Sequence, residues 1–210
     1  MGKHKFFRNV VITTVAVGTA MHFANEFIIK NSTSKNLLKK DEGNNYSFTY
    51  GNIFYKVSGE GKPVLLIHDL NECSSGMEWF YLEKKLSKTY KVYTIDLLGC
   101  GRSDKPKFNY NSFLYVQLIT NFIRDIIGEP TNIIATGKSA APVIMAAKSC
   151  KIPSLIHEQN VFPGLTVKGS SKYVKHIAVS FEETINHLDK NKCILTGNPV
   201  RNEFYSRNHE

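Results

Sequence analysis

The chain has few cysteines, and their spacing excludes the usual cysteine-based sites. Its 210 residues contain four, at Cys73, Cys100, Cys150 and Cys193, and no two of them form a C-x-x-C pair. Zinc-binding and redox motifs depend on such close pairs. The sequence therefore predicts no metal site, and no motif in it indicates a bound cofactor.

Acidic residues are scarce at the start of the chain. Residues 1–40 contain seven Lys or Arg but a single acid, Glu26, and so carry most of the net charge of +9. These basic residues flank an apolar run, whereas a nucleic-acid-binding protein usually spreads them along a folded face. We therefore expect a membrane surface as a partner, and no nucleic acid.

The apolar run lacks the length of an uninterrupted membrane span. His22, Asn25 and Glu26 interrupt it before Phe27, whereas a clean span needs ~20 apolar residues. An uncleaved anchor, a cleaved signal peptide and an amphipathic helix on the bilayer surface all fit this pattern. We favour the anchor, which predicts a cell-membrane protein with one hydrophobic helix in residues 1–30. Basic residues on both sides leave the orientation open.

Strands and helices alternate after a polar linker in residues 31–45. A hairpin with its turn at Gly51-Asn52 comes first. Short, mainly apolar strands are predicted in residues 64–67, 92–95 and 132–135, with helical patterns between and after them. This order predicts an α/β fold, with a mostly parallel sheet and helices on both faces, preceded by the N-terminal hydrophobic helix. Binding groups should gather at the carboxyl ends of the strands.

Three loops at predicted strand ends carry the motifs of one enzyme family. Gly137-Lys138-Ser139-Ala140-Ala141 joins a strand to a helix, as a nucleophile elbow does, with Ala141 in place of the second Gly of G-x-S-x-G. Residues 96–104 match D-x-x-G-x-G-x-S, and His68-Asp69 stands where His-Gly is usual. With these motifs in this order and spacing, residues 46–148 resemble the α/β-hydrolases.

The resemblance implies a serine hydrolase acting on a small-molecule ester or a related acyl compound. Ser139 would be the nucleophile, and the backbone N–H groups of Leu70 and Ala140 would form the oxyanion hole. The acid and the histidine of the triad follow the serine in this family, yet no histidine after Ser139 stands in a matching context. We therefore expect an incomplete hydrolase domain, because a serine without its base is a poor nucleophile.

A second set of motifs follows residue 151. In chain order it consists of Ile156-His157-Glu158-Gln159-Asn160, Pro163-Gly164-Leu165 and Thr196-Gly197-Asn198-Pro199-Val200-Arg201. Together these motifs resemble the MurG-type N-acetylglucosaminyltransferases of peptidoglycan synthesis, over the end of their N-terminal domain. We therefore assign residues 149–210 to a partial glycosyltransferase segment.

This second resemblance implies roles for the motif residues. Asn160 and Arg201 would contact the donor UDP-N-acetylglucosamine, since an amide and a guanidinium suit polar and anionic groups. His157, Glu158 and Gln159 would shape the acceptor side, although His157 equally fits a structural histidine. We expect no sugar transfer by these residues alone, because the family's glycine-rich loop and second domain are not among them.

Three functions stay open from the sequence. The main prediction is a membrane-anchored α/β-hydrolase-like protein with an incomplete catalytic set. The alternative is a fragment of the N-acetylglucosaminyltransferase that uses UDP-N-acetylglucosamine, and the third possibility is a non-functional chimera of the two families.

Overall fold

The chain divides into two compact units, residues 1–41 and residues 42–210. The computed structural model describes residues 2–32, 38 and 42–198. In the first unit, α1 (Gly2–Ser32) is one helix of 31 residues, about 46 Å long at about 1.5 Å per residue. Its part Lys5–Ser32 is long and apolar enough to cross a membrane, a property that signal sequences share. The predicted N-terminal hydrophobic helix is therefore confirmed.

A β-hairpin opens the second unit. Its strands β1 (Asn44–Phe48) and β2 (Gly51–Ser58) pair in antiparallel fashion. The hairpin is confirmed, but its turn lies at Thr49 and Tyr50, two residues before the predicted position.

The hairpin continues into a five-stranded sheet, sheet A. Its other strands are β3 (Pro63–Ile67), β4 (Lys91–Ile95) and β5 (Asn132–Ala135). The strand order is β1-β2-β4-β3-β5. β3, β4 and β5 are parallel, while β2 runs antiparallel to β4. All five residues of β3 are buried, as its apolar sequence predicts for an inner strand.

Helices cover both faces of sheet A. α3 (Ser112–Phe122), extended by a π-helical turn (Ile123–Ile127), and α4 (Ala140–Ser149) pack on the face that Leu65 and Ile67 present. A 3-10 helix (Gly76–Trp79) and α2 (Phe80–Leu86) lie against the opposite face, formed by Val64, Leu66 and Val92. Successive side chains of a strand point to opposite faces, so β3 contributes to both cores.

The last three strands form a separate parallel sheet, sheet B. They are β6 (Leu155–Glu158), β7 (His176–Val179) and β8 (Cys193–Leu195), in that order. α5 (Leu165–Ser170) lies between β6 and β7 in the chain. α4 connects the two cores, because Val143 and Ala146 pack in the core of sheet A while Ile144 packs with Ile177 of sheet B.

The predicted fold class is confirmed. Four of the six strand pairs among the described residues are parallel, and helices flank sheet A on both sides. The strands are divided between two sheets, because β5 and β6, both described, do not pair.

Candidate functional site

The carboxyl ends of β3, β4 and β5 bring three loops together. His68, directly after β3, accepts a hydrogen bond at Nε2 from the N–H of Leu97, at 2.9 Å. Asp69 accepts one at Oδ1 from the N–H of Lys138, at 2.6 Å. The loops after all three strands therefore meet at one edge of sheet A, as strand-end motifs in a parallel sheet should.

His68 is a structural residue of this edge. Its side chain is fully buried, and its Nδ1 lies 2.6 Å from the carbonyl oxygen of Asp69. Because Nε2 accepts from Leu97, the geometry assigns the ring proton to Nδ1. Both ring nitrogens are thus occupied within the fold.

The loop in residues 96–104 is held by the buried carboxylate of Asp96. Its Oδ1 accepts the N–H of Gly76 at 2.6 Å, and its Oδ2 accepts the N–H and Nη1 of Arg102, at 2.8 and 3.1 Å. Ser103 donates its hydroxyl to the Asp96 carbonyl and accepts the N–H of Phe54 at 2.9 Å. The D-x-x-G-x-G-x-S motif therefore fastens this loop to β2 and to the helix after β3.

Ser139 lies inside the turn between β5 and α4. Its side chain is fully buried, and its Oγ donates to the carbonyl oxygen of Thr136 at 2.7 Å. Its backbone is right-handed helical, with φ −69°, whereas Gly137 has the left-handed φ of +59°. A nucleophile elbow presents an exposed serine on the strained residue of such a turn. In this chain the strained position belongs to Gly137, which has no side chain.

Two backbone donors converge near this turn, as an oxyanion hole requires. The N–H groups of Leu70 and Lys138 both donate to Asp69 Oδ1, at 2.7 and 2.6 Å. Leu70 is one of the two predicted donors, but the N–H of Ala140 bonds instead to the carbonyl of Gly137. Asn71 Nδ2 reaches the second carboxylate oxygen of Asp69 at 3.1 Å. The converging donors are therefore occupied by a carboxylate of the chain itself.

The pKa of Asp69 follows from these contacts. Partial burial tends to raise it, but hydrogen bonds from the Lys138 N–H, the Asn71 side chain and the Leu70 N–H, together with the Lys138 charge, lower it below the ordinary value. The carboxylate is therefore ionised at neutral pH.

The carboxyl edge of sheet B is organised by a second buried carboxylate. Glu158 is 3% exposed at the end of β6. Its Oε1 accepts the N–H and Nδ2 of Asn160, both at 2.9 Å, and its Oε2 accepts the N–H of Gly164 at 3.1 Å. Glu158 thus holds residues 158–164 in one conformation.

Polar side chains from all three strands of sheet B meet beside Glu158. Ser180, after β7, has its Oγ 3.2 Å from His157 Nε2 and 2.7 Å from Asn198 Oδ1. Asn198, after β8, also donates from Nδ2 to the carbonyl of Gln159 at 3.4 Å. His157, Gln159, Asn160 and Asn198 are exposed, so this edge can offer hydrogen-bond donors and acceptors to a ligand.

The four predicted glycosyltransferase residues 157–160 are consecutive in the chain and lie at this edge, where Gln159 takes part through its backbone carbonyl. Arg201 lies outside the described residues. Ser180 and Asn198 were not predicted as site residues, although each follows the carboxyl end of a parallel strand, a position typical of binding groups. Within residues 2–32, 38 and 42–198, no three His, Cys, Asp or Glu side chains are grouped to hold a metal ion.

Comparison with protein families finds a match in the middle of the chain. Residues 81–179 match the glycosyltransferase family 28 N-terminal domain. The matched range runs from α2 through β7. It therefore includes both the turn that resembles a hydrolase elbow and the loop that Glu158 holds.

Curated relatives show a similarity to glycosyltransferases as well. The chain is 40% identical over 120 residues to the UDP-N-acetylglucosamine--N-acetylmuramyl-(pentapeptide) pyrophosphoryl-undecaprenol N-acetylglucosamine transferase of Thermoanaerobacter sp. (strain X514), covering 55% of this chain and 32% of the relative. It is 32% identical over 167 residues to the transferase of the same name from Prochlorococcus marinus (strain MIT 9515), covering 75% and 45%. The chain thus spans less than half the length of these relatives.

Among solved structures, the chain is similar in fold to hydrolases. An α/β-hydrolase fold protein from Burkholderia ambifaria superposes with a TM-score of 0.50 at 20% identity, over 66% of this chain and 43% of its own. A meta-cleavage product hydrolase from Pseudomonas fluorescens gives 0.50 at 25% identity, over 54% and 43%. The chain therefore combines a hydrolase-like fold with a glycosyltransferase-like sequence segment.

Proposed function

We propose that this chain is a fragment of a MurG-type N-acetylglucosaminyltransferase, and that the carboxyl edge of sheet B binds UDP-N-acetylglucosamine. The match of residues 81–179 to the glycosyltransferase family 28 N-terminal domain carries the proposal. The curated relatives are named for this sugar nucleotide. The proposal concerns binding of the sugar nucleotide, because the exposed polar groups at this edge can contact a ligand.

The geometry of sheet B supports a binding role. The carboxylate of Glu158 is fully engaged within the loop, so its function is to position its neighbours. Asn160 supplies the proposed donor contact, together with Arg201 from outside the described residues. His157 and Gln159 shape the acceptor side, where Ser180 orients the His157 ring.

Titration with UDP-N-acetylglucosamine tests this proposal. We expect saturable binding of the full chain at millimolar concentrations by calorimetry, and a roughly 3- to 10-fold weaker affinity for Asn160→Ala, the effect of about one lost hydrogen bond. Asn186→Ala is the matched control, because Asn186 is exposed on the 3-10 helix Glu182–His187. The proposal is wrong if no saturable binding occurs, or if both variants bind as the unchanged chain does.

Serine hydrolysis stays a prediction from the sequence. The fold of sheet A resembles the hydrolases, but Ser139 is buried, bonds to Thr136, and leaves the strained position of the turn to Gly137. The fusion of two families into a non-functional chimera also stays a prediction. The glycosyltransferase proposal has the stronger support, because two sequence comparisons agree on it.

We also propose that α1 anchors the chain in the cell membrane. The hydroxyls of Thr13, Thr14 and Thr19 donate to the carbonyl groups four residues earlier, which satisfies these polar groups inside the helix, as an apolar surrounding requires. The expected result is that the chain stays in the membrane fraction after carbonate extraction, whereas Val15→Arg releases part of it, since a charge near the centre of a span is costly.

Asn9→Arg is the control for membrane anchoring, because it adds the same charge beside Arg8 at the basic end of the helix. Equal retention of the two variants would contradict a spanning anchor. A mature N-terminus downstream of α1 would show instead that the helix is a cleaved signal peptide.

A further inference from the structure

We propose that the backbone N–H groups of Leu70 and Lys138 form a binding site for a small carboxylate, and that Asp69 keeps this site closed by occupying it. The inference is independent of the proposed sugar-nucleotide binding, which concerns sheet B. It assigns Asp69 the role of an internal ligand whose removal opens the site to carboxylates from solution.

The two donors come from different loops that the sheet holds in place. β3 and β5 are parallel neighbours, with Ile67 paired to Ala135, so the residues just beyond both strands lie side by side. Leu70 follows β3 and Lys138 follows β5, and their N–H groups meet on one oxygen atom at 2.7 and 2.6 Å. The bond from Lys138 spans 69 positions of the chain. The site is thus assembled by the fold and not by a local turn alone.

Gly137 shows how closely the site is fitted to a carboxylate. A Cβ added to Gly137 would lie 2.2 Å from Asp69 Oδ1, a separation that no side chain could tolerate without movement. The bound oxygen therefore fills the space beside this glycine. The second carboxylate oxygen is held by Asn71 Nδ2 at 3.1 Å, which gives the anion a third donor.

Removing the carboxylate should free both donors for another acceptor. In Asp69→Ala the Leu70 and Lys138 N–H groups lose their charged acceptor and are left to water, because Gly137 and Lys138 are exposed. A free carboxylate restores charge-assisted bonds to the same donors. Glu78, whose Oε2 accepts the Asp69 N–H at 3.1 Å, adds negative charge nearby, so we expect weak, millimolar affinity.

The experiment is an acetate titration of the full chain in detergent micelles, labelled with ¹⁵N at leucine and lysine. Sodium acetate replaces sodium chloride at constant ionic strength and neutral pH, and amide shifts are recorded. In Asp69→Ala we expect saturable shifts of the Leu70 and Lys138 amide signals. The unchanged chain should show none, because its own ionised carboxylate occupies both donors.

Asp69→Asn is the matched variant, since its side-chain oxygen can still accept from both donors without a charge. It should remain closed to acetate. If Asp69→Ala does not fold in chloride, acetate should restore its folded spectrum, because a ligand that binds only the folded state stabilises it. Failure of acetate either to shift these amides or to restore folding would overturn the proposal, as would an equal response of the unchanged chain.

Discussion

Gly137→Ala is expected to lower the free energy of unfolding by about 2–4 kcal/mol, measured by chemical denaturation. Two costs add at this position. The φ of +59° is unfavourable for a residue with a Cβ, by about 1–2 kcal/mol. The new Cβ would also lie 2.2 Å from Asp69 Oδ1, so the carboxylate must leave its two backbone donors.

Gly128→Ala separates these two costs. Gly128 has a similar φ of +71°, but apart from its own and the adjacent backbone, no heavy atom of the described residues comes within 4 Å of where its Cβ would be. It should therefore show the backbone cost alone. In an Asp69→Ala background the cost of Gly137→Ala should fall to that of Gly128→Ala, since a double-mutant cycle isolates the contact between two residues. Equal costs at the two glycines in the unchanged chain would contradict this account.

The strands and loops that form the edge of sheet A around Asp69 were predicted from the sequence. Short apolar runs located β3, β4 and β5, and the rule that binding groups follow parallel strands brought their three loops together. The sequence also showed an aspartate at position 69 where hydrolases usually have glycine. It did not show that this carboxylate would accept the Leu70 and Lys138 N–H groups, because those bonds depend on how two loops approach each other.

The G-x-S motif also did not predict which residue of the turn after β5 has the left-handed backbone conformation. The pattern G-x-S at residues 137–139 suggested that the serine occupies the strained position. In the structure Gly137 occupies that position. Ser139 lies at the start of the following helix, where its hydroxyl donates to the Thr136 carbonyl. Only torsion angles distinguish these registers, since Gly137 and Ser139 are both small and both stand between the same strand and helix.

The residues that match the glycosyltransferase family overlap with those that form the hydrolase-like fold, because the two folds share the same strand–turn–helix arrangement. The glycosyltransferase match includes β4, β5 and α4, which also belong to the hydrolase-like layer of sheet A. A parallel strand, a turn with glycine and a following helix occur in both folds, and a fold does not by itself specify a function. The division into two sheets was not predicted, because the alternation of strands and helices is the same whether β6 joins β5 or starts a new sheet.

Glu158→Ala is expected to lower the free energy of unfolding by about 2–4 kcal/mol. The side chain is 3% exposed and accepts three hydrogen bonds, two from Asn160 and one from Gly164. Truncation leaves the backbone N–H groups of both residues without an acceptor. The loop should then lose its conformation, and UDP-N-acetylglucosamine binding should be lost with it.

Two further variants serve as comparisons for Glu158→Ala. Glu158→Gln keeps an acceptor oxygen but presents an amide to one of the donors, so its stability and affinity should lie between those of the unchanged chain and Glu158→Ala. Glu182→Ala removes an exposed carboxylate after β7 and should leave the free energy of unfolding almost unchanged. If Glu158→Ala were as stable as Glu182→Ala, the loop would not depend on the buried carboxylate. If it lost stability but kept full affinity for the sugar nucleotide, the ligand would bind elsewhere, and the proposed site at the carboxyl edge of sheet B would be wrong.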